Sequence, residues 1–91
     1  MTFKELAQKI AEDFNRQIEE EGFENFKEMR SVYDWEPEDI RDEIEYMIKE
    51  YGEDDHFATL DDGSIIQFTG DWEEPTMSYR EFKKLVFAEV K

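Results

Sequence analysis

The chain has 91 residues, a net charge of −15 and no cysteine. This length bounds it to one small domain with a limited core. The missing cysteine excludes disulfides and thiolate metal sites, and the charge disfavours nucleic-acid phosphates or anionic lipid as partners of this surface.

MTFKELAQKI lacks the apolar stretch of a signal peptide. No run approaches the ~20 apolar residues of a membrane span, so a cytoplasmic protein with basic partners is expected. Charged residues make up 41% of the chain, a content typical of disorder. Eight Phe, four Tyr and two Trp at regular spacings point instead to a packed core.

Thr2 followed by Glu5 forms a capping-box pattern. Phe3, Leu6, Ala7, Ile10, Ala11, Phe14 and Ile18 then recur at helical spacing, which predicts an amphipathic helix over 3–20 closed by Gly22. Phe23, Phe26 and Met29 predict a short second helix over 24–31. Pro37 suits the first turn of a third helix, whose stripe is Ile40, Ile44, Met47, Ile48 and Tyr51 and whose end is Gly52. HFATL and SIIQFT flank Asp61-Asp62-Gly63, which predicts a β-hairpin pairing 56–60 with 64–69. Pro75 marks a turn, and Ser78 with Glu81 opens a last helix through Phe82, Leu85, Val86 and Val90. The expected fold is α+β: three N-terminal helices, a β-hairpin and a C-terminal helix in one small domain. Asp34-Trp35-Glu36-Pro37 is echoed by Asp71-Trp72-Glu73-Glu74-Pro75, which reads as one kind of turn used twice.

Little in the chain suggests catalysis or a cofactor. His56 is the only histidine, whereas a metal site built on His usually needs a second imidazole or a thiolate. It is expected as a partly exposed residue at a strand start. No nucleophile elbow surrounds Ser31, Ser64 or Ser78. An EF-hand frame with Gly63 at position six puts Ala58 at one and Thr69 at twelve, so the motif fails. The four glycines are isolated and make no phosphate loop. Phe3, Phe14, Phe26, Phe68 and Phe82 are expected in the core, since a base-stacking platform would need bases around it. Trp35 and Trp72 each sit in an acidic turn, and each is either partly buried or an interface anchor.

The acid is concentrated. Residues 34–74 hold sixteen carboxylates against Arg41 and Lys49, a net of −14. On the third helix Glu38, Asp42 and Glu45 mark one edge, and Asp39, Glu43 and Glu50 another. Like charges at i, i+4 cost a few tenths of a kcal/mol each. From Glu38 to Glu50 the carboxylates average about one per 3 Å of helix, near the ~3.4 Å phosphate spacing of one DNA strand. Glu53, Asp54, Asp55, Asp61, Asp62, Asp71, Glu73 and Glu74 extend the field. A rigid carboxylate array can fill a basic groove meant for DNA, offering its arginines bidentate partners. A solvated face that keeps a small protein soluble is the plainer reading.

In size, acidity, absence of cysteine and mixed α/β make-up, the chain resembles small phage-borne DNA-mimic inhibitors, the anti-CRISPR and anti-restriction proteins. The likeness is one of overall character. It implies a non-catalytic inhibitor that blocks DNA access to a Cas effector or restriction enzyme in a bacterial host cell, for example at the arginines with which Cas9 reads its PAM. The expected partner-binding residues are Glu38, Asp39, Asp42, Glu43, Glu45, Asp54, Asp55, Asp61 and Asp62, with Trp35 and Trp72. No cofactor, metal, direct nucleic-acid contact or membrane is expected, and a monomer or homodimer is expected. Two rivals stand beside this reading: an adaptor or assembly protein binding through Trp and Tyr anchors, and an enzyme using paired acids in a concave pocket.

Overall fold

The computed structural model describes residues 1–70 and 75–91. Helix α1 (Phe3–Glu20) is the element the other helices pack on, and the sheet packs on the third helix through its first strand. Its stripe of Leu6, Ala7, Ile10, Ala11, Phe14 and Ile18 is buried. The Thr2–Glu5 capping box forms in both directions, at 3.1 Å each way. At the other end Phe23 N–H donates to the Ile18 carbonyl and Gly22 N–H to that of Glu19. This Schellman pattern requires the positive φ that Gly22 adopts, +77°.

Helix α2 (Phe26–Tyr33) is capped by Asn25, whose side chain accepts from Glu28 N–H at 2.9 Å. It therefore begins two residues later than its apolar spacing suggested. It also ends in a Schellman pattern, with Trp35 N–H on the Arg30 carbonyl and Asp34 N–H on that of Ser31. Asp34 takes the left-handed position, φ 54°. The echoed segment 71–74 lies outside the described residues.

Helix α3 (Pro37–Gly52) buries Ile40, Ile44, Met47 and Ile48, and a 3₁₀ turn (Glu53–Asp55) follows it. The hairpin forms as expected, with β1 (Phe57–Thr59) antiparallel to β2 (Ile65–Gln67) and Ala58 opposite Ile66. Its loop is a turn closed by Gly63 N–H on the Leu60 carbonyl at 2.9 Å, with Gly63 at φ +90°. A third strand, β3 (Thr76–Met77), adds antiparallel to β2, giving the order β1-β2-β3. Two residues after a proline are too short to show a strand period. Helix α4 (Tyr79–Phe87), capped by Ser78, packs on α1. It stops three residues short of the expected Val90, where Asn15 of α1 engages the chain by donating to the Glu89 carbonyl and accepting from Lys91 N–H.

The whole is a small α+β fold around one core that spans all four helices, β1 and β2. Phe14 and Phe82 are fully buried, and Phe3 and Phe26 pack on the core from its rim. Phe68 does not join them; it is 47% exposed. Side chains alternate across a strand, so with Ile65 facing inward Phe68 falls on the outer face of the sheet, at the end away from the hairpin turn. The body is elongated, 45 × 22 × 19 Å. Among the described residues no helix is long and apolar enough to cross a membrane.

Candidate functional site

The acidic surface is built on α3. The buried stripe fixes that helix's rotation, and at 100° per residue its outward acids then follow in the order Glu45, Glu38, Asp42, Asp39, Glu50 and Glu43 over roughly 160°. The two edges read from the sequence are therefore halves of one arc. Tyr46 and Lys49 stand within it, and Tyr46 is 65% exposed.

On the hairpin side, Glu38, Asp42 and Glu45 share a groove with Thr59, Leu60 and Asp61. Arg41 is the cation of this groove, and it is committed internally. Its Nε donates to Glu45 Oε1 at 3.1 Å, and its guanidinium sits 5.3 Å from the centroid of the Tyr79 ring. It also packs so closely on Gly63 that a Cβ there would clash with it. One side chain thus ties α3 to the hairpin loop and to α4. Asp62 is held below the usual carboxylate range, chiefly because its carboxylate accepts from Ser64 N–H at 2.9 Å.

On the α1 side, burial pushes the Glu43 carboxyl above its usual range, and the nearby Asp13 and Asp42 add to this. Asp13 is the better served of the pair: it accepts from Arg16 at 3.0 Å, from Gln17 at 2.8 Å and from the Tyr51 hydroxyl. That last bond, more than any other contact, pushes the Tyr51 hydroxyl up.

Not every expected contact residue belongs to the open array. Asp39 accepts from Glu36 N–H at 2.8 Å and so helps to start α3. Asp55 stands 3.5 Å from the Met1 amino group, while its neighbour Asp54 is exposed. Trp35 is half-buried rather than presented. It joins an aromatic cluster, 6.1 Å from Phe26 and 5.5 Å from Tyr33 between ring centroids, and Phe26 in turn meets Phe87 and Phe14. Tyr33 and Val32 beside it are 43% and 63% exposed. Trp72 lies outside the described residues. Exposed His56 precedes β1 at φ 64°. Among the described residues no three His or carboxylate groups are disposed to hold a metal ion.

Sequence reasoning passed over Tyr46 and Arg41. Tyr46 falls opposite the α3 stripe, so the helical period already marked it as exposed. Arg41 precedes Glu45 by four residues, which signals a local ion pair, but its reach to Gly63 and Tyr79 depends on tertiary packing.

No protein-family model, curated protein or solved structure matches this chain.

Proposed function

We propose that this chain is a non-catalytic inhibitor that occupies the basic DNA-binding groove of a nuclease or CRISPR effector of the Cas9 type and blocks DNA access. The carboxylate arc of α3, with Asp61 across the groove, carries the reading. The arc has a rigid base, because Ile40, Ile44, Met47 and Ile48 are locked in the core. Its one groove-side cation, Arg41, is already engaged by Glu45 and Tyr79. A net charge of −15 on a body 45 Å long is about one net charge per 3 Å, close to the ~3.4 Å of one DNA strand. Such a surface draws in a basic groove by electrostatic steering. Its place of action is the cytoplasm of a bacterial host, where those enzymes meet DNA.

The test is competition with DNA for purified restriction enzymes and guide-loaded effectors. The expected result is a stoichiometric block that weakens as salt rises. The triple variant Glu38→Gln, Asp42→Asn, Asp61→Asn removes three exposed charges, each contributing about 0.5–1 kcal/mol, so affinity falls roughly tenfold to a hundredfold. Unchanged affinity in that variant would sink the reading.

A second reading rests on the exposed Val32 and Tyr33 beside Trp35. On that surface the chain is an adaptor or assembly protein held by aromatic anchors. Its binding would be nearly independent of salt and would be lost in Tyr33→Ala.

A further inference from the structure

The sheet has an edge that no strand among the described residues covers. In the order β1-β2-β3, β1 is outermost. Leu60 N–H donates to the Ser64 carbonyl at 2.8 Å, and the His56 carbonyl accepts from Phe68 N–H at 2.9 Å. In an antiparallel ladder alternate residues bond to the same neighbour. Residues 56, 58 and 60 therefore face β2, and Phe57 and Thr59 turn their N–H and C=O groups the other way. A groove of about 280 Å³ opens on that side, between β1 and Glu45, Ile48, Lys49 and Glu53. A free strand edge beside a groove is the arrangement that accepts an added strand.

We propose that the free edge of β1 binds an extended polypeptide segment of a partner, in which basic and apolar residues alternate, as a fourth strand. Charge selects the basic residues. Side chains opposite Phe57 and Thr59 share their face of the sheet and enter the groove, where Glu53 stands at one end and Glu45, one of whose oxygens is taken by Arg41, at the other. The α3 chain runs antiparallel to β1: Gly52 abuts Phe57, and Glu45 lies by Thr59 and Leu60. Glu53 follows Glu45 by eight positions, just past the end of α3, which separates the two glutamates by about 12 Å. Two groove-side residues of a strand are about 6.6 Å apart. Long Lys or Arg side chains bridge the difference by splaying outward, away from Lys49 at the centre. The intervening residue, opposite Ala58, points to the outer face, where Leu60 is 41% exposed and offers an apolar contact. A second copy of this chain is a poor occupant, since it brings another −15 to an edge flanked by glutamates. The inference is independent of DNA displacement, because a duplex offers no strand amides to pair with.

The test uses the whole protein and the peptide acetyl-Ser-Val-Lys-Val-Lys-Val-Ser-amide, followed by NMR with amide hydrogen exchange. At saturating peptide the Phe57 and Thr59 amides are expected to exchange at least ~tenfold more slowly, while the Ala58 amide, already bonded to β2, changes little. The same peptide with both lysine amides N-methylated keeps its charge and loses the donors; it is expected not to bind. Thr59→Pro removes an outward donor without breaking the β1–β2 ladder and is expected to abolish the protection of the Phe57 amide, which this variant retains. Equal binding of the methylated peptide would reduce the contact to charge attraction and overturn the proposal. So would absence of binding up to millimolar peptide. Concentration-dependent protection of these amides without peptide, together with dimers in sedimentation, would make a second copy the occupant and likewise overturn it.

Discussion

Glu43 occupies a half-buried position on the α1 side of α3, where burial first, and then Asp13 and Asp42, favour its neutral form. Its folded-state pKa therefore lies above the ordinary value of 4.5. Between those two values the folded chain holds more protons than the unfolded one, so stability falls as pH rises through the window. Above it the ionised carboxylate is a standing cost, worth a few tenths of a kcal/mol by analogy with like-charge helix pairs. Glu43→Gln is expected to raise Tm by about 1–3 °C at neutral pH. The gain should vanish below pH 4.5, where both forms are uncharged. Thermal melts of both proteins across that range measure it, and a gain that persists at low pH would show that packing, not charge, is responsible. Asp13 is a poor substitute target, because it accepts from Arg16, Gln17 and Tyr51 and its loss would leave three donors without it.

At the scale of elements, α1 and α2 end in the same Schellman pattern, but one puts Gly22 and the other Asp34 at the left-handed position. A non-glycine residue there costs about 1 kcal/mol, less for Asp than for most, and a carboxylate at a helix C-terminus opposes the dipole. Asp34→Gly is expected to raise Tm by about 4–8 °C, and Asp34→Asn to recover only the electrostatic part. Equal gains from the two variants would assign the whole effect to charge. The two helix ends also show what the sequence makes legible. Gly22 announces a helix end unaided, whereas Asp34 looks like one more acid. The caps at Thr2 and Ser78 were readable because side chain and amide are three residues apart in one chain. Asn25 with Glu28 is the same signal, masked by the apolar Phe23 just before it. The α3 stripe was readable for the same local reason, and with it the outward arc of acids. What stayed hidden rests on partners distant in sequence: β3 exists because Gln67 N–H reaches the Pro75 carbonyl at 3.0 Å, and α4 stops where Asn15 takes over its chain. Phe68 was misjudged on residue type, since strand parity from the inward Ile65 already turned it outward.

For the molecule as a whole, stability and binding should respond to salt with opposite signs. A net charge of −15 on 91 residues repels itself in the compact state. The described ion pairs that relieve it are few: Arg16–Asp13, Arg41–Glu45, Lys91–Glu19 and Met1–Asp55. Raising NaCl from 0.1 to 1 M shortens the screening length from about 10 Å to about 3 Å, so the free chain should gain about 1 kcal/mol and melt roughly 4–8 °C higher. Over the same range, affinity for a basic partner should fall steeply, because the attraction being screened is between bodies of opposite charge. The triple variant Glu38→Gln, Asp42→Asn, Asp61→Asn separates the two effects at fixed salt. It should melt higher than the parent at 0.1 M NaCl, lose part of the salt-induced rise in Tm, and still bind the partner less tightly. A variant that gained stability without losing binding would make the arc a solubility surface. One that lost both would show that these carboxylates hold the groove together. Only higher stability with weaker binding identifies a surface whose charge is kept at the expense of the fold that carries it.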